Sequence, residues 1–175
     1  MALMLLMWKA GLRVSEIVAL NVNDVRIQSN QRGVVQVRLG KGRKSRGVPL
    51  NASVIAALKT WLKIRPAEGA AMFLSRSNIR LTTRAVQQIV EQIGRKAAAL
   101  GRTRSLADRE AGAALNVLTP HVLRHTCAKR LLDAGAQLTE VAAILGHEDL
   151  NMTRRYTQPG EADLQRAMNR IERLY

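Results

Sequence analysis

The sequence predicts a mainly helical α+β domain with one small three-stranded antiparallel sheet. Three observations carry that prediction. Apolar residues recur at spacings of three and four through most of the chain, with capping residues before them and Gly or Pro after. Between residues 24 and 50 the period drops to two. The chain has 175 residues, 47% hydrophobic and only 3% aromatic, which suits one domain with an aliphatic core.

In chain order, residues 1–10 read as the tail of a core helix, and Gly11 can end it at C′. An apolar start without a polar lead-in suggests a missing N-terminal part. Arg13 or Ser15 precedes a short second helix bearing Ile17, Val18 and Leu20. That puts Arg13 at a helix–helix junction, where a side chain can turn inward, with Glu16 three residues on and able to orient it.

Val25 and Ile27 alternate with Arg26 and Gln28, and Val35, Val37 and Leu39 with Gln36 and Arg38. Residues 29–33 form the first turn. Residues 40–47, Gly-Lys-Gly-Arg-Lys-Ser-Arg-Gly, form a basic second turn before a third strand at 48–50. Asn51 caps a helix to about Leu62, broken by Pro66 and Gly69. Thr82 caps a helix over 83–100 with Val86, Ile89, Val90 and Ile93 buried.

Residues 101–118 read as an exposed loop, with a short helix possible from Asp108 to Ala114. Thr119-Pro120 is a strong helix start, and that helix runs to about Ala134 and Gly135. A helix over 139–145 stops at Gly146. Short helices follow at 150–157 and 161–174, the last amphipathic.

Charge narrows the partner. The chain carries 28 Lys+Arg against 13 Asp+Glu, a net +15. A fold does not need that imbalance, and self-repulsion opposes compactness, so it points to a polyanion, above all nucleic acid. No run approaches the ~20 apolar residues of a membrane span, and Met1–Trp8 lacks the flanks of a signal peptide. The single cysteine, Cys127, allows no internal disulfide and reads as a small core residue in a reducing compartment.

The candidate chemistry lies in 119–156. His121 and Arg124 share one helix face, His147 follows Leu145-Gly146, and Tyr156 comes nine residues later. Arginine bonds a phosphate bidentately and stays charged. Histidine donates or shuttles protons near neutral pH, and lysine on a hairpin can act as a general acid. A tyrosine, with a reference pKa of ~10, becomes a nucleophile where cations lower that value. Each element is weak alone; order and spacing make them a set. His125 reads as packing or as a support beside Arg124 rather than as a catalytic group. Arg154 and Arg155 flank the tyrosine as DNA contacts or a solvated face.

That ordered set resembles the tyrosine recombinase (phage integrase) family, nearest to its Xer-type and integron or phage members. Residues 11–16 (Gly-Leu-Arg-Val-Ser-Glu) are similar to its first arginine box and 40–50 to its lysine hairpin. Residues 119–126 are similar to its H-x-x-R box, and 145–147 with Tyr156 to its second histidine and nucleophile. The resemblance implies Tyr156 as the nucleophile forming a 3′-phosphotyrosyl link. It implies Arg13, Arg124, His121 and His147 as phosphate holders, and Lys41 as the acid for the 5′-hydroxyl.

Glu16 is then the support of Arg13, and Arg43, Lys44 and Arg46 are candidate DNA contacts. No metal, cofactor or nucleotide is implied. The partner would be double-stranded DNA, with self-association through 161–174, in a bacterial or phage-type cytoplasm at the nucleoid. Family members carry an N-terminal core-binding domain that nothing in residues 1–175 matches. The expectation is therefore an isolated catalytic domain suited to strand cleavage or weak DNA binding rather than complete recombination. Two other readings stand beside it: relaxation of the type IB topoisomerase kind, and a non-catalytic DNA-binding module.

Overall fold

The computed structural model describes residues 1–38, 45–99 and 118–146. Lys41, Arg43, Lys44, His147 and Tyr156 lie outside the described residues, as do the connection from 101 to 117 and both helices expected after residue 149.

The elements follow the order the periodicity predicts, helices first, then the three strands, then helices again. Helix α1 (Ala2–Lys9) and helix α2 (Val14–Ala19) lead through a 3-10 turn at Val22–Asp24 into β1 (Val25–Ile27), β2 (Gly33–Val37) and β3 (Arg46–Pro49). Helices α3 (Ala52–Ile64), α4 (Thr83–Ala99), α5 (Pro120–Asp133) and α6 (Leu138–Leu145) follow. The sheet is antiparallel in the order β1-β2-β3, with Val35 opposite both Val25 and Val48. Val35, Val37 and Val48 are fully or almost fully buried, while Val34 and Pro49 face out, so one face of the pleat covers the core.

Local chemistry sets the helix ends. The Asn51 side chain accepts from Val54 N at 3.1 Å and Thr119 Oγ1 accepts from Val122 N at 3.3 Å, each capping its helix. Pro120 occupies the first turn of α5, and Gly146 closes α6 in the left-handed region at φ +66°.

Two expectations shift. Strand β3 begins at Arg46, two residues before the apolar Val48 that marked it in sequence, because its register against β2 continues to the Val37–Arg46 pair. Ile93 is 39% exposed although Val86 and Val90 are fully buried. Helix α4 packs against α2, a helix of only six residues, which cannot cover a stripe of four turns.

Helix α1 is the central post. Leu6 and Met7 are fully buried, and the helix packs against α3 on one side and α5 on another. Burying side chains of that size stabilises by roughly 1.5–3 kcal/mol each relative to exposure. Around α6, Val141 and Leu145 join Ala128 of α5 in a second, smaller cluster. No helix among the described residues is long and apolar enough to cross a membrane.

Gly11 joins these units. It has φ +67°, and a Cβ placed there would stand 2.5 Å from Leu145 Cδ2 and 3.3 Å from Cys127 Sγ. The α1–α2 junction, α5 and α6 therefore meet at a point only glycine fits. Gly11→Ala is expected to destabilise by about 2–4 kcal/mol, combining left-handed backbone cost with overpacking. Urea denaturation checks this; a loss below ~0.5 kcal/mol, the range of ordinary surface changes, would mean the contact yields freely.

Candidate active site

The C-terminal end of α6 gathers the arginines. The last carbonyls of any helix have no partner within it. Here Gly146 N–H takes those of Ala142 and Ala143, at 2.8 and 3.3 Å. The next three go to guanidinium groups. Arg46 Nε donates to Ile144 O at 2.9 Å. Arg124 Nη2 and Arg13 Nη1 both donate to Leu145 O, at 2.8 and 3.3 Å, and Arg13 Nη2 donates to Gly146 O at 3.2 Å. The negative end of the helix dipole adds to the attraction.

Each arginine arrives from a different element. Arg13 is the N-cap residue of α2, and its backbone N–H donates to Glu16 Oε2 at 2.8 Å, the carboxylate half of a capping box. Arg124 stands one turn into α5 and is only 5% exposed, with Nη1 donating to Gly11 O. Arg46 opens β3.

Glu16 holds the charges together. It is 7% exposed, accepts from Arg13 Nη1 at 3.1 Å and receives Arg46 as a two-pronged fork, Nη1 at 2.8 Å and Nη2 at 3.0 Å. Burial alone would push its pKa up. The Arg46 hydrogen bond, the Arg13 amide and the two cationic charges outweigh that, and the carboxyl is held below its ordinary 4.5.

The expected residues are thus partly brought together. Arg13 and Arg124 share one acceptor, and Glu16 supports Arg13. His121 is exposed at the second position of α5, one turn before Arg124. His125 is exposed, which sets aside packing but not a supporting role. Partial burial, then the charges of His121 and Lys129, lower its pKa. Cys127 is a core residue as expected: burial outweighs the Arg124 and Arg130 charges and pushes its thiol up to about 11, unsuited to nucleophilic use.

Arg46 departs from expectation. It was grouped with the DNA contacts of the basic turn, but its side chain is 11% exposed and its Nε, Nη1 and Nη2 all donate inward. Strand parity is the signal that could have found it: Arg46 lies two residues from buried Val48 and so shares its inward face.

What the arrangement offers is a guanidinium, Arg13, one-third exposed (34%) and stiffened from behind, sharing a carbonyl with the buried Arg124, whose helix carries the exposed His121 one turn earlier. That is a holder for an oxyanion such as a phosphodiester. The chain belongs to the phage integrase family, whose model matches residues 1–162. It is 35% identical over 159 residues to tyrosine recombinase XerC of Psychromonas ingrahamii, covering 89% of this chain and 47% of that protein. Against XerC of Azotobacter vinelandii it is 38% identical over 160 residues, covering 89% and 46%. The chain thus spans about half the length of the curated relatives it matches.

Among solved structures it is similar to XerA recombinase (TM-score 0.74, 28% identity, 94% of this chain and 55% of that one). It is also similar to XerH recombinase bound to its difH substrate (TM-score 0.70, 27% identity, 95% and 45%). These likenesses place the chain beside the Xer-type tyrosine recombinases in sequence and in the fold of the catalytic domain.

Glu16→Gln keeps the shape and removes the charge that pairs two arginines. Breaking a buried pair in this way costs roughly 3–5 kcal/mol. The sign with pH follows from the depressed pKa. The contribution is fully present above the ordinary glutamate value of 4.5 and is lost as pH falls through the lower folded-state value. The stability gap between wild type and Glu16→Gln should be constant near neutrality and close under acid. Urea titrations at a series of pH values read it; a gap that widens on acidification contradicts the assignment.

Proposed function

We propose that this chain is the catalytic part of a site-specific DNA recombinase that cuts and rejoins duplex DNA through Tyr156. The observation that carries the reading is the placement of Arg13 and Arg124, from helices far apart in sequence, on one carbonyl of α6, that of Leu145, two residues before His147 in the chain. Family membership and the net charge of +15 support it.

In this reading Arg13 and Arg124, with His121 and His147, balance charge on the non-bridging oxygens of the scissile phosphate. The Tyr156 oxygen attacks phosphorus, and the bond to the 5′-oxygen breaks as Lys41 gives that oxygen a proton. The 3′-phosphotyrosyl link keeps the bond energy, so a 5′-hydroxyl from another strand can attack it and release Tyr156 without metal or nucleotide. Arg43 and Lys44 add backbone contacts, which give affinity rather than sequence choice. Residues 161–174 would join copies of the chain on DNA, and the working compartment is the bacterial or phage-infected cytoplasm. Exchange between partners is preferred to relaxation because the relatives, at 35% and 38% identity, are recombinases.

The test is a duplex nicked near the cleavage point, so that the cut fragment diffuses away. Wild-type chain should form a covalent protein–DNA adduct on denaturing gels, and Tyr156→Phe none. Binding without any adduct would leave the DNA-binding-module reading. Lys41→Ala should slow cleavage about 10²–10⁴-fold with an oxygen leaving group and far less with a 5′-thiol, which leaves unprotonated. Equal slowing on both substrates removes Lys41 from the acid role.

A further inference from the structure

Arg46 has been given no place in the chemistry, yet it is among the most fully engaged side chains near it. Its fork takes both oxygens of Glu16, at 2.8 and 3.0 Å, and Glu16 Oε1 in turn takes Arg13. Its remaining nitrogen, Nε, holds Ile144 O. The guanidinium also lies flat against Gly146: a Cβ there would stand 2.7 Å from Nη1, 2.8 Å from Cζ and 3.0 Å from Nε. Gly146 is therefore restricted twice, by its positive φ and by the space Arg46 occupies.

We infer that Arg46 is a positioning residue for strand cleavage: it sets Arg13, through Glu16, and the backbone at 144–146 in one register, without touching DNA. This rests on the cleavage reading above. Lysine cannot replace it, because an ammonium is a point charge and cannot span a carboxylate and a carbonyl in one plane. A phosphate-contacting arginine behaves differently, contributing to affinity and to its salt dependence.

The experiment separates binding from chemistry. Single-turnover cleavage of the nicked duplex is measured at saturating protein, and Kd by fluorescence anisotropy across a salt series, for wild type, Arg46→Ala and Arg46→Lys. Misplacing a catalytic group by about 1 Å can cost ~10²-fold, so Arg46→Ala should lower the saturated rate 10- to 100-fold. Its Kd should stay within about 3-fold and its salt slope unchanged, since no phosphate contact is lost. Arg46→Lys should recover only part of the rate. An unchanged saturated rate, or a salt slope reduced by about one, overturns the inference and returns Arg46 to the DNA contacts.

A second measurement needs neither cleavage nor DNA. Gly146→Ala should lower the melting temperature more in wild type than in Arg46→Ala, where the guanidinium no longer fills the Cβ position. Additive losses overturn the contact on which the inference stands. Wild-type chain that binds DNA but never cleaves sinks the cleavage reading and this role with it. Wild-type cleavage with an unaffected Arg46→Ala sinks this inference alone.

Discussion

The end of a short helix is the constraint on which the site depends. Helix α6 has eight residues, and three consecutive carbonyls from Ile144 to Gly146 need donors from outside it. Arg46, Arg124 and Arg13 supply them. Three guanidiniums so close would repel one another in isolation. The helix end draws them in through directional hydrogen bonds and its dipole, and Glu16 lowers the local charge. The same contacts therefore satisfy a buried backbone and stiffen two cations, Arg13 and Arg124. Stability and site geometry rest here on one set of hydrogen bonds.

That arrangement explains the two tight glycines. Gly11 lets the α1–α2 junction approach Leu145 and Cys127, so that Arg13 begins α2 within reach of α6. Gly146 ends α6 in a left-handed turn beneath the Arg46 guanidinium. A side chain at either position would push apart the elements that carry the arginines. The core does the rest: α1, buried along Leu6 and Met7, holds α3 and α5 on its flanks, and α5 brings Arg124 with it.

Legibility in the sequence followed the range of the forces. Asn51, Thr119-Pro120 and Gly146 act on residues three or four away, and the helix starts and stops read from them stand in the structure. The period-two run between Asp24 and Leu50 gave the sheet, because alternate burial is a property of each strand alone. The pairing of Glu16 with Arg13 was also local, at i and i+3. Ile93 was misjudged because its burial depends on the length of α2, which lies more than sixty residues earlier in the chain. Arg46 was misjudged because density of charge in the turn suggested solvent, while its partners are thirty and ninety-eight residues away. His121 and Arg124 lie on one helix face as expected, yet one is exposed and the other buried, a difference set by α6 and the Gly11 junction and not by α5.

The buried acid makes sense of the division of labour among the arginines. Arg46 is nearly enclosed and meets Glu16 with a two-pronged fork; Arg13 meets the same carboxylate with one nitrogen and keeps a third of its side chain exposed. A carboxylate shared unequally in this way leaves net positive charge on the exposed partner, open to an anion, while the enclosed partner offsets the cost of burying the acid. Had Glu16 paired fully with Arg13 alone, its charge would cancel that of the exposed guanidinium. The second arginine behind the first thus permits a rigid support for Arg13 without neutralising it.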